Sequence, residues 1–470
     1  MKKFIKWGFS LVFLAVIYVG YSNFQKFVLI SGISAKWVSS GIFVAHRTQK
    51  SIEASDIHFS PVTWAKNEVD LENKSVTSTV FGFKSRTAVY REGLGSVVTN
   101  SDYDATAPYL IPKRNITSIN LPFPYGDLPQ KDTVFSTINY DKLKNVVETY
   151  FGKNTPENTT TALIIIYKNQ IIAEKYADGF NKDTRLLGWS MGKSLMSAVC
   201  GVMDLQGKLS KDEPAPIDAW KNDERSKITI DNLLHMNSGL KWEEDYTKIC
   251  DVTKMLFFET DMSKSQINKP FVGKPNETWN YSSGTTNLIS GIIRQKFKNH
   301  QEYLDFWYTD LIDKIGMHSM LVETDLAGNY VASSYAWATT RDWAKFGLLY
   351  LHNGNWNGEQ IMSEDWVKYT AIPTNGSEGV YGAQFWLNAG GHLPDVPKDL
   401  FFADGYQGQR VYIIPSKELV VVRLGVTFSV LEEQLKNRPV KTGENKDVVE
   451  FELNNISSNK LLKEILSVIE

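Results

Sequence analysis

Residues 188–205 have the sequence GWSMGKSLMSAVCGVMDL, in which a serine and a lysine open a long apolar run. From Ser190 onward the apolar residues recur at helical spacing, which predicts a largely buried helix. Ser190 and Lys193 stand three residues apart and therefore share one helical face. A serine hydroxyl needs a base to become a good nucleophile, and a partly desolvated lysine can lose its charge and act as that base. If Ser190 opens the helix, its own N–H can stabilise a developing oxyanion.

The Ser-x-x-Lys pattern is not specific by itself, because it occurs three times in the chain. The pairs are Ser190 and Lys193, Ser238 and Lys241, and Ser457 and Lys460. Only the first pair precedes a long apolar run at helical spacing. Ser238 lies in a Ser-Gly turn, and Ser457 lies in a polar tail. The context therefore favours Ser190 as nucleophile and Lys193 as its base.

The same residues also match the Gly-x-Ser-x-Gly pattern that carries the nucleophile in α/β-hydrolases. That arrangement needs a buried strand before the serine, whereas residues 181–187, NKDTRLL, are largely polar. It also needs a histidine late in the chain, and His392 in a glycine-rich loop is available. An α/β-hydrolase esterase that uses Ser190 is therefore kept as a second interpretation.

Two predicted strand pairs flank a long region of helical spacing. The four segments are Thr161–Tyr167, Ile171–Tyr176, Arg410–Pro415 and Glu418–Gly425. Each pair consists of two runs rich in β-branched residues with a short connection, which is typical of a hairpin. We therefore predict an α+β domain over residues 131–470. Early and late segments build one antiparallel sheet, and a helical domain of roughly residues 195–380 is inserted between them.

Two further segments carry residues that suit nucleophilic catalysis. The first, Trp279 to Gly284 (WNYSSG), places Tyr281 before a predicted helix. A tyrosine near a lysine can pass protons to a leaving group. The second, Ala403 to Gln409 (ADGYQGQ), precedes the late strand pair, and its glycines allow close backbone approach by a ligand. A strand-edge N–H in that segment could complete an oxyanion hole.

The order and spacing of these segments resemble the penicillin-recognising serine hydrolases, which include class C β-lactamases, DD-peptidases and related esterases. Within that group the chain is most similar to the 6-aminohexanoate-dimer (nylon-oligomer) hydrolases, over roughly residues 140–430. The motifs concerned are Gly188-Trp189-Ser190-Met191-x-Lys193-Ser194, Leu233-Leu234-x-Met236-x-Ser238-Gly239, Glu244-Asp245-Tyr246, Tyr281-Ser282-Ser283, Thr340-Arg341-Asp342 and Gly408-Gln409. The resemblance implies a β-lactamase-like fold, an antiparallel sheet flanked by helices with an inserted all-helical domain.

The resemblance also implies roles for individual residues. Ser190 would be the acylated nucleophile, Lys193 its general base and Tyr281 an assistant in proton transfer. The backbone N–H groups of Ser190 and Tyr406 would form the oxyanion hole. The substrate would be contacted by Tyr246, Ser283, Gly405 and Gln407, with Ser283 in the place of the asparagine of the Tyr-x-Asn form. The implied activity is cleavage of a small-molecule amide or ester through an acyl-enzyme, without a cofactor.

The chain departs from the family pattern at its third motif. Ala403-Asp404-Gly405 stands where β-lactamases have Lys-Thr-Gly or His-x-Gly. The cation that would hold a β-lactam carboxylate is missing, and Asp404 adds a negative charge if it points inward. Arg410 could supply a cation if it faces the site. We therefore expect inefficient β-lactam hydrolysis. A penicillin-binding or cell-wall sensing protein that acylates without turnover is the alternative from a different functional class.

The first 24 residues predict an export signal or a signal anchor. Lys2, Lys3 and Lys6 precede the uncharged run WGFSLVFLAVIYVGY at residues 7–21, a combination typical of such segments. We therefore expect a protein of the cell envelope, periplasmic or extracytoplasmic, with residues 7–21 as a membrane anchor. Residues 25–130 are rich in Ser, Thr, Gly and Asn and predict an N-terminal extension of uncertain order.

Composition argues against several other kinds of function. Net charge is −2, from 51 basic and 53 acidic residues, so the chain has no basic excess with which to bind nucleic acid. No group of histidines and carboxylates has metal-ligand spacing, and no metal site is expected. Cys200 and Cys250 are too few for a disulfide scaffold. A bridge between these two cysteines stays open at this point.

Overall fold

The structure, a computed structural model, describes residues 24–101, 103–152, 158–427 and 431–469. Residues 24–101 form a small unit in which one long helix packs on a four-stranded antiparallel sheet; we call it the N-terminal unit. Its elements are α1 (Phe24–Phe43), α2 (Gln49–Ala54), β1 (Ala65–Asp70), β2 (Ser75–Val80), β3 (Phe83–Arg91) and β4 (Gly95–Val98), with the strands in the order β1-β2-β3-β4.

The N-terminal unit occupies much of the segment for which the sequence predicts uncertain order. Helix α1 is rich in serine and glycine, and from Leu29 to Gly41 nearly every residue is buried. Because α1 is covered on all sides, its sequence has no apolar stripe that could announce a helix. Residues 101–139 that are described contain no regular helix or strand. The boundaries of the predicted domains stay a prediction.

The body of the molecule is built on a six-stranded antiparallel sheet with the order β12-β13-β14-β15-β5-β6. The strands are β5 (Asn158–Tyr167), β6 (Gln170–Tyr176), β12 (Trp386–Leu387), β13 (Phe401–Gly405), β14 (Gln409–Ile414) and β15 (Leu419–Thr427). Strand β15 pairs with β5, with Val421 opposite Ile165. The two predicted strand pairs are confirmed, and so is the sheet built from early and late segments.

Alternating residues of the central strands face two different apolar layers. On β5, Ile164 and Ile166 pack into the core shared with the inserted helices. Leu163 and Ile165 pack into a second core formed with the helices at the two ends of the body. The helices are α3 (Tyr140–Gly152), α4 (Met191–Leu205), α5 (Ile230–Leu234), α6 (Asp251–Phe258), α7 (Ser283–Gln295), α8 (His300–Trp307), α9 (Thr340–Leu351), α10 (Glu364–Thr370), α11 (Leu431–Asn437), α12 (Lys446–Asn454) and α13 (Ile456–Leu466). The α+β class is confirmed.

The insertion is not all-helical, which corrects the expectation for residues 195–380. Short strands interrupt it: β8 (Leu321–Val322) pairs with β9 (Ala336–Ala338), and β10 (Asn355–Trp356) pairs with β11 (Glu359–Gln360). Strand β9 also pairs with β7 (Leu186–Leu187), which lies just before the insertion. Most of these strands contain only two residues, too few to show a period of two in the sequence. Strand β7 matters most, because it leads directly into the turn before α4.

The α/β-hydrolase interpretation is wrong. The described strands of the main sheet are all antiparallel, whereas that fold requires a parallel sheet whose strand ends at the nucleophile. His392 is also occupied elsewhere. Its Nδ1 lies 2.9 Å from Glu452 Oε1, and its Nε2 lies 3.1 Å from the Glu378 carbonyl oxygen.

Two expectations concern the chain outside the active site. The predicted signal or anchor, residues 1–24, lies outside the described residues except for Phe24. Among the helices that are described, none is long and apolar enough to span a bilayer. Cys200 and Cys250 are both buried and both free, so the disulfide left open by the sequence is not formed here.

Candidate active site

The turn between β7 and α4 presents Ser190 at the start of a buried helix. Trp189 has a φ of 50°, a left-handed conformation that costs a bulky residue about 1–3 kcal/mol. Ser190 is the N-cap of α4 and is only 8% exposed. A Cβ at Gly192 would lie 2.3 Å from the Ala332 carbonyl oxygen. Glycine is therefore required here, because it lets α4 approach the loop that holds Lys193.

The ammonium nitrogen of Lys193 contacts three oxygens at equal distance. Nζ lies 2.9 Å from Ser190 Oγ, from Ser283 Oγ and from the Ser333 carbonyl oxygen. A protonated lysine would donate to all three. A neutral amine keeps two N–H donors for Ser283 and Ser333 and turns its lone pair towards the Ser190 hydroxyl. The same geometry therefore suits both protonation states of a general base.

Lys193 and Tyr281 have pKa values shifted in opposite directions. Burial lowers the pKa of Lys193 to about 8, although Glu244 and Asp404 act in the opposite direction. Burial raises the pKa of Tyr281 well above its ordinary value, and its hydrogen bond with Ser190 only partly opposes this. Lys193 can thus become neutral near physiological pH, whereas Tyr281 stays protonated. Tyr281 is placed to donate a proton, with its ring centroid 4.8 Å from Lys193 Nζ.

Glu244 organises the other side of Lys193, and sequence reasoning gave it no role. It accepts hydrogen bonds from the Ser283 hydroxyl, the Ser283 N–H and Trp242 Nε1. Because Ser283 donates its only hydroxyl proton to Glu244, its oxygen is left to accept from Lys193. The structure thus turns Ser283 towards Lys193. Glu244 stands in the Glu-Asp-Tyr motif, which could have marked it as a candidate site residue. No sequence motif marks Ser333.

Strand β13 ends against the turn that carries Ser190. A Cβ at Gly405 would lie 2.1 Å from the Gly188 carbonyl oxygen, so only glycine allows this approach. The ring of Tyr406, the next residue, is 5.5 Å from that of Trp189. The backbone at residues 405–406 is therefore brought beside residues 188–190. The oxyanion hole of Ser190 and Tyr406 N–H groups stays a prediction that this arrangement accommodates.

Aromatic rings from four parts of the chain, those of Trp37, Tyr246, Tyr335 and Tyr406, surround Trp189. Tyr246 and Tyr406 stack with their centroids 4.9 Å apart, and Tyr246 lies 6.3 Å from Trp189 edge-on. Among the rings of the described residues, that of Trp37 is closest to Trp189, at 5.0 Å. Trp37 belongs to α1 of the N-terminal unit, so it escaped sequence reasoning confined to the motifs. The cleft is thus built partly by residues outside the body.

The third motif has a partly buried ion pair, with side chains 10% and 24% exposed, where β-lactamases have a free cation. Arg410 Nε lies 2.8 Å from Asp404 Oδ1, a contact without the alignment of a hydrogen bond. Burial raises the pKa of Asp404, while Arg410 and Lys193 oppose the shift. Gln407 is buried, and its amide nitrogen lies 3.5 Å from the Asp56 carbonyl oxygen of the N-terminal unit. Its predicted contact with substrate stays a prediction.

The other Ser-x-x-Lys pairs have different surroundings. Ser238 is buried at a tight turn, with its hydroxyl oxygen 3.4 Å from the Leu240 N–H. Ser457 and Lys460 are exposed near the end of the chain. Within the described ranges, no group of three or more His, Cys, Asp or Glu residues could hold a metal ion.

The chain is similar in sequence to a known protein family and to one of the curated hydrolases. Residues 154–439 match the family model described as Beta-lactamase. The chain is 22% identical over 304 residues to the 6-aminohexanoate-dimer hydrolase of Paenarthrobacter ureafaciens, covering 57% of this chain and 73% of that protein.

Two solved structures share the fold. A protein of Bacteroides dorei DSM 17855, provisionally named a beta-lactamase, has a TM-score of 0.53 at 16% identity, over 71% of this chain and 99% of its own. A protein of Bacillus anthracis, provisionally named a 6-aminohexanoate-dimer hydrolase, has a TM-score of 0.52 at 19% identity, over 68% and 81%. The β-lactamase-like fold implied by the sequence is confirmed.

Proposed function

The chain belongs to the Beta-lactamase family, and we propose that it is a serine hydrolase that cleaves an amide or ester through an acyl-enzyme on Ser190. Relatives named as hydrolases support a hydrolase in general. The observation that carries the finer proposal is the contact between Lys193 Nζ and Ser190 Oγ at 2.9 Å, inside a site that lowers the pKa of the lysine to about 8.

The proposed acylation uses the groups in the positions described. Neutral Lys193 takes the proton of Ser190 Oγ as that oxygen bonds to the substrate carbonyl carbon. The carbonyl oxygen becomes an oxyanion between the N–H groups of Ser190 and Tyr406. The bond to the leaving group then breaks as Tyr281 donates its proton to the departing nitrogen or oxygen. Tyr281 takes up in turn the proton that Lys193 received from Ser190, so both groups return to their starting states. Water hydrolyses the resulting Ser190 ester in the second half of the reaction.

The proposed substrate is a neutral or weakly anionic amide or ester rather than a β-lactam antibiotic. A β-lactam presents a carboxylate that needs a free cation, and here the Arg410 charge is compensated by Asp404 at 2.8 Å. Tyr246 and Tyr406 offer apolar faces beside Trp189 for the remainder of the substrate. The amide substrate in the name of the 22% identical relative fits this class.

The test is acylation by a fluorophosphonate probe, followed by intact mass. The wild-type protein should gain one adduct, and Ser190→Ala and Lys193→Ala should gain none. Ser457→Ala is the matched control, because it removes the exposed serine of another Ser-x-x-Lys pair and should label like wild type. Labelling of Ser190→Ala would refute the assignment of the nucleophile. Equal labelling of Lys193→Ala would refute Lys193 as the base.

Turnover separates the hydrolase from the sensing alternative. An amide or ester that acylates Ser190 should be released with steady-state kinetics beyond the first equivalent. A burst of one product equivalent without further turnover would instead favour the penicillin-binding or sensing protein. Nitrocefin, a chromogenic β-lactam, should be a poor substrate because of Asp404.

The proposal also places the protein at the cell envelope, exported or anchored by residues 7–21. The support is the sequence alone: three lysines among the first six residues, followed by fifteen residues without charge. Fractionation of cells that express the full chain would test this. Recovery entirely in the cytosolic fraction would contradict it.

A further inference from the structure

A group of three neighbouring aromatic rings, two of them exposed, lies near the beginning of α1. It consists of Phe27, Trp64 and Phe81, and we call it the aromatic patch. The Phe81 ring centroid is 5.9 Å from that of Phe27 and 5.7 Å from that of Trp64. Phe81 is 64% exposed and Trp64 48%, whereas Phe27 is partly buried. Exposed apolar groups that are contiguous in this way mark interaction surfaces more often than scattered ones do.

Phe81 is a residue that the fold alone would not select. Strands β2 and β3 are joined by the two-residue turn Phe81-Gly82, with φ of 52° and 74°. A hairpin turn with two positive φ values strongly prefers Asn-Gly. Phenylalanine there combines a strained backbone with a ring held in water. Such a residue at a hairpin tip points to a function for the ring.

The location of the aromatic patch indicates its partner. Helix α1 begins at Phe24, only three residues after the uncharged run at residues 7–21, which follows Lys2, Lys3 and Lys6. Aromatic side chains, tryptophan above all, favour the interfacial layer of a bilayer. We propose that the aromatic patch is a membrane-docking surface whose Trp64 and Phe81 lie in that layer, an inference that rests on the proposed location at the cell envelope.

Docking at the aromatic patch would hold the cleft at a set distance from the membrane surface. Trp37, which contacts the ring of Trp189, lies ten residues after Phe27 on the same helix. At about 1.5 Å per residue, α1 separates the patch from the cleft by about 15 Å. The membrane surface therefore acts as a support for the N-terminal unit and leaves the cleft open to water-soluble or headgroup-level substrates.

Fluorescence quenching by lipid tests the contact directly. The full chain and Trp64→Phe are bound to vesicles of phosphatidylcholine with a minority of phosphatidylglycerol, with and without bromine on the acyl chains. Because the chain has 13 tryptophans, the emission of Trp64→Phe is subtracted from that of the full chain to obtain the emission of Trp64. We expect bromine to quench this difference signal. An unquenched signal, or no vesicle binding by either protein, would overturn the proposal.

A matched pair of variants tests the contribution of Phe81. Phe81→Asn removes the ring but suits the left-handed turn, so the unfolding midpoint should not fall. Its vesicle partition coefficient should drop about tenfold, as expected for one partly buried aromatic ring. Leu71→Asn is the control, because Leu71 is 72% exposed at the opposite end of the β1–β2 hairpin. It should bind like wild type.

The remaining outcomes are also decisive. Equal loss of binding in Leu71→Asn and Phe81→Asn, or no loss in either, would contradict a specific role for the aromatic patch. Protection of Trp64 from acrylamide in the absence of vesicles would overturn the proposal too. It would point to residues 1–23 or a second copy of the chain as the cover.

Discussion

The N-terminal unit and the body both contribute residues to the cleft at Trp189, but only the contribution of the body can be recognised from sequence motifs. The body matches a family over residues 154–439, and the groups proposed to react stand in short motifs such as Ser190-x-x-Lys193. The N-terminal unit lies before that match and contains no such motif. It nevertheless supplies Trp37, whose ring lies 5.0 Å from that of Trp189. The residues proposed to react can thus be recognised from short motifs in the sequence. The residues that hold them in position depend on packing between segments that are distant in the sequence.

A buried ion pair shows how firmly the two regions are joined. Lys36 of α1 donates to Glu323 of the body at 2.5 Å, and the side chains are 3% and 0% exposed. Glu323 also accepts hydrogen bonds from the Ser96 N–H and from Trp337 Nε1. Lys36 Nζ lies 4.2 Å from the ring centroid of Tyr335, beside Trp189. The N-terminal unit is therefore part of the folded core rather than an appendage.

The largest expected effect concerns the body alone. Lys193→Ala should lower kcat/KM about 10³-fold, since a positioned general base contributes roughly 10²–10⁴-fold. In wild type, kcat/KM should rise as pH increases through about 8, because the lowered pKa leaves Lys193 neutral above that point. The measurement is a pH profile with an uncharged ester. Lys241→Ala is the control, because Lys241 is the exposed lysine of another Ser-x-x-Lys pair, and it should behave like wild type. A flat pH profile of the wild-type protein would contradict the assignment of Lys193 as the general base.

The second effect tests the junction between the two regions. Glu323→Gln leaves the Lys36 ammonium buried without its counter-charge, which should lower the free energy of unfolding by about 3–5 kcal/mol. Denaturant titration of both proteins would measure it. Glu68→Gln breaks the exposed pair with Lys66 and should change little. A small loss in Glu323→Gln, or separate transitions for the two regions, would mean that they are independent.

The sequence predicted those features that depend on local pattern. The hairpins at β5–β6 and β14–β15 followed from β-branched runs, and the helix after Ser190 followed from its apolar spacing. Lys193 and Tyr281 were chosen from motifs, and the structure brings both to Ser190. In each case the decisive information lies within about twenty residues of chain.

Features that depend on long-range packing escaped prediction. Helix α1 is buried on all sides among small residues, so it shows no amphipathic stripe, and its contact with the body joins residues far apart in sequence. Ser333 acts through its carbonyl oxygen, which any residue type could offer. Glu244 was visible in a motif, but only the fold shows that it faces Ser283.

The third effect concerns Glu244, the carboxylate that orients Ser283 beside Lys193. Glu244→Gln should lower kcat/KM about 10- to 100-fold, because an amide cannot accept from Ser283 and Trp242 as the carboxylate does. Glu244 acts to raise the Lys193 pKa, so its neutralisation should also move the midpoint of the pH profile to lower pH. The neighbouring change Asp245→Asn is the control and should leave the midpoint in place. An upward shift in Glu244→Gln would show that the carboxylate does not act on Lys193 through its charge.

The smallest effect asks whether the N-terminal unit contributes to catalysis as well as to stability. Trp37→Ala removes a ring that helps to hold Trp189 in its strained conformation, next to the N–H of Ser190. Acylation should slow about fivefold, the equivalent of ~1 kcal/mol for one aromatic pair. The loss should appear in kcat more than in KM, and Trp37→Phe should recover most of it. Val38→Ala is the comparison, because Val38 is also buried in α1 but has no aromatic ring to pack against Trp189. If Val38→Ala slows acylation as much as Trp37→Ala at matched stability, the N-terminal unit supports the body only as a whole. If only Trp37→Ala does, the cleft belongs to both regions of the molecule.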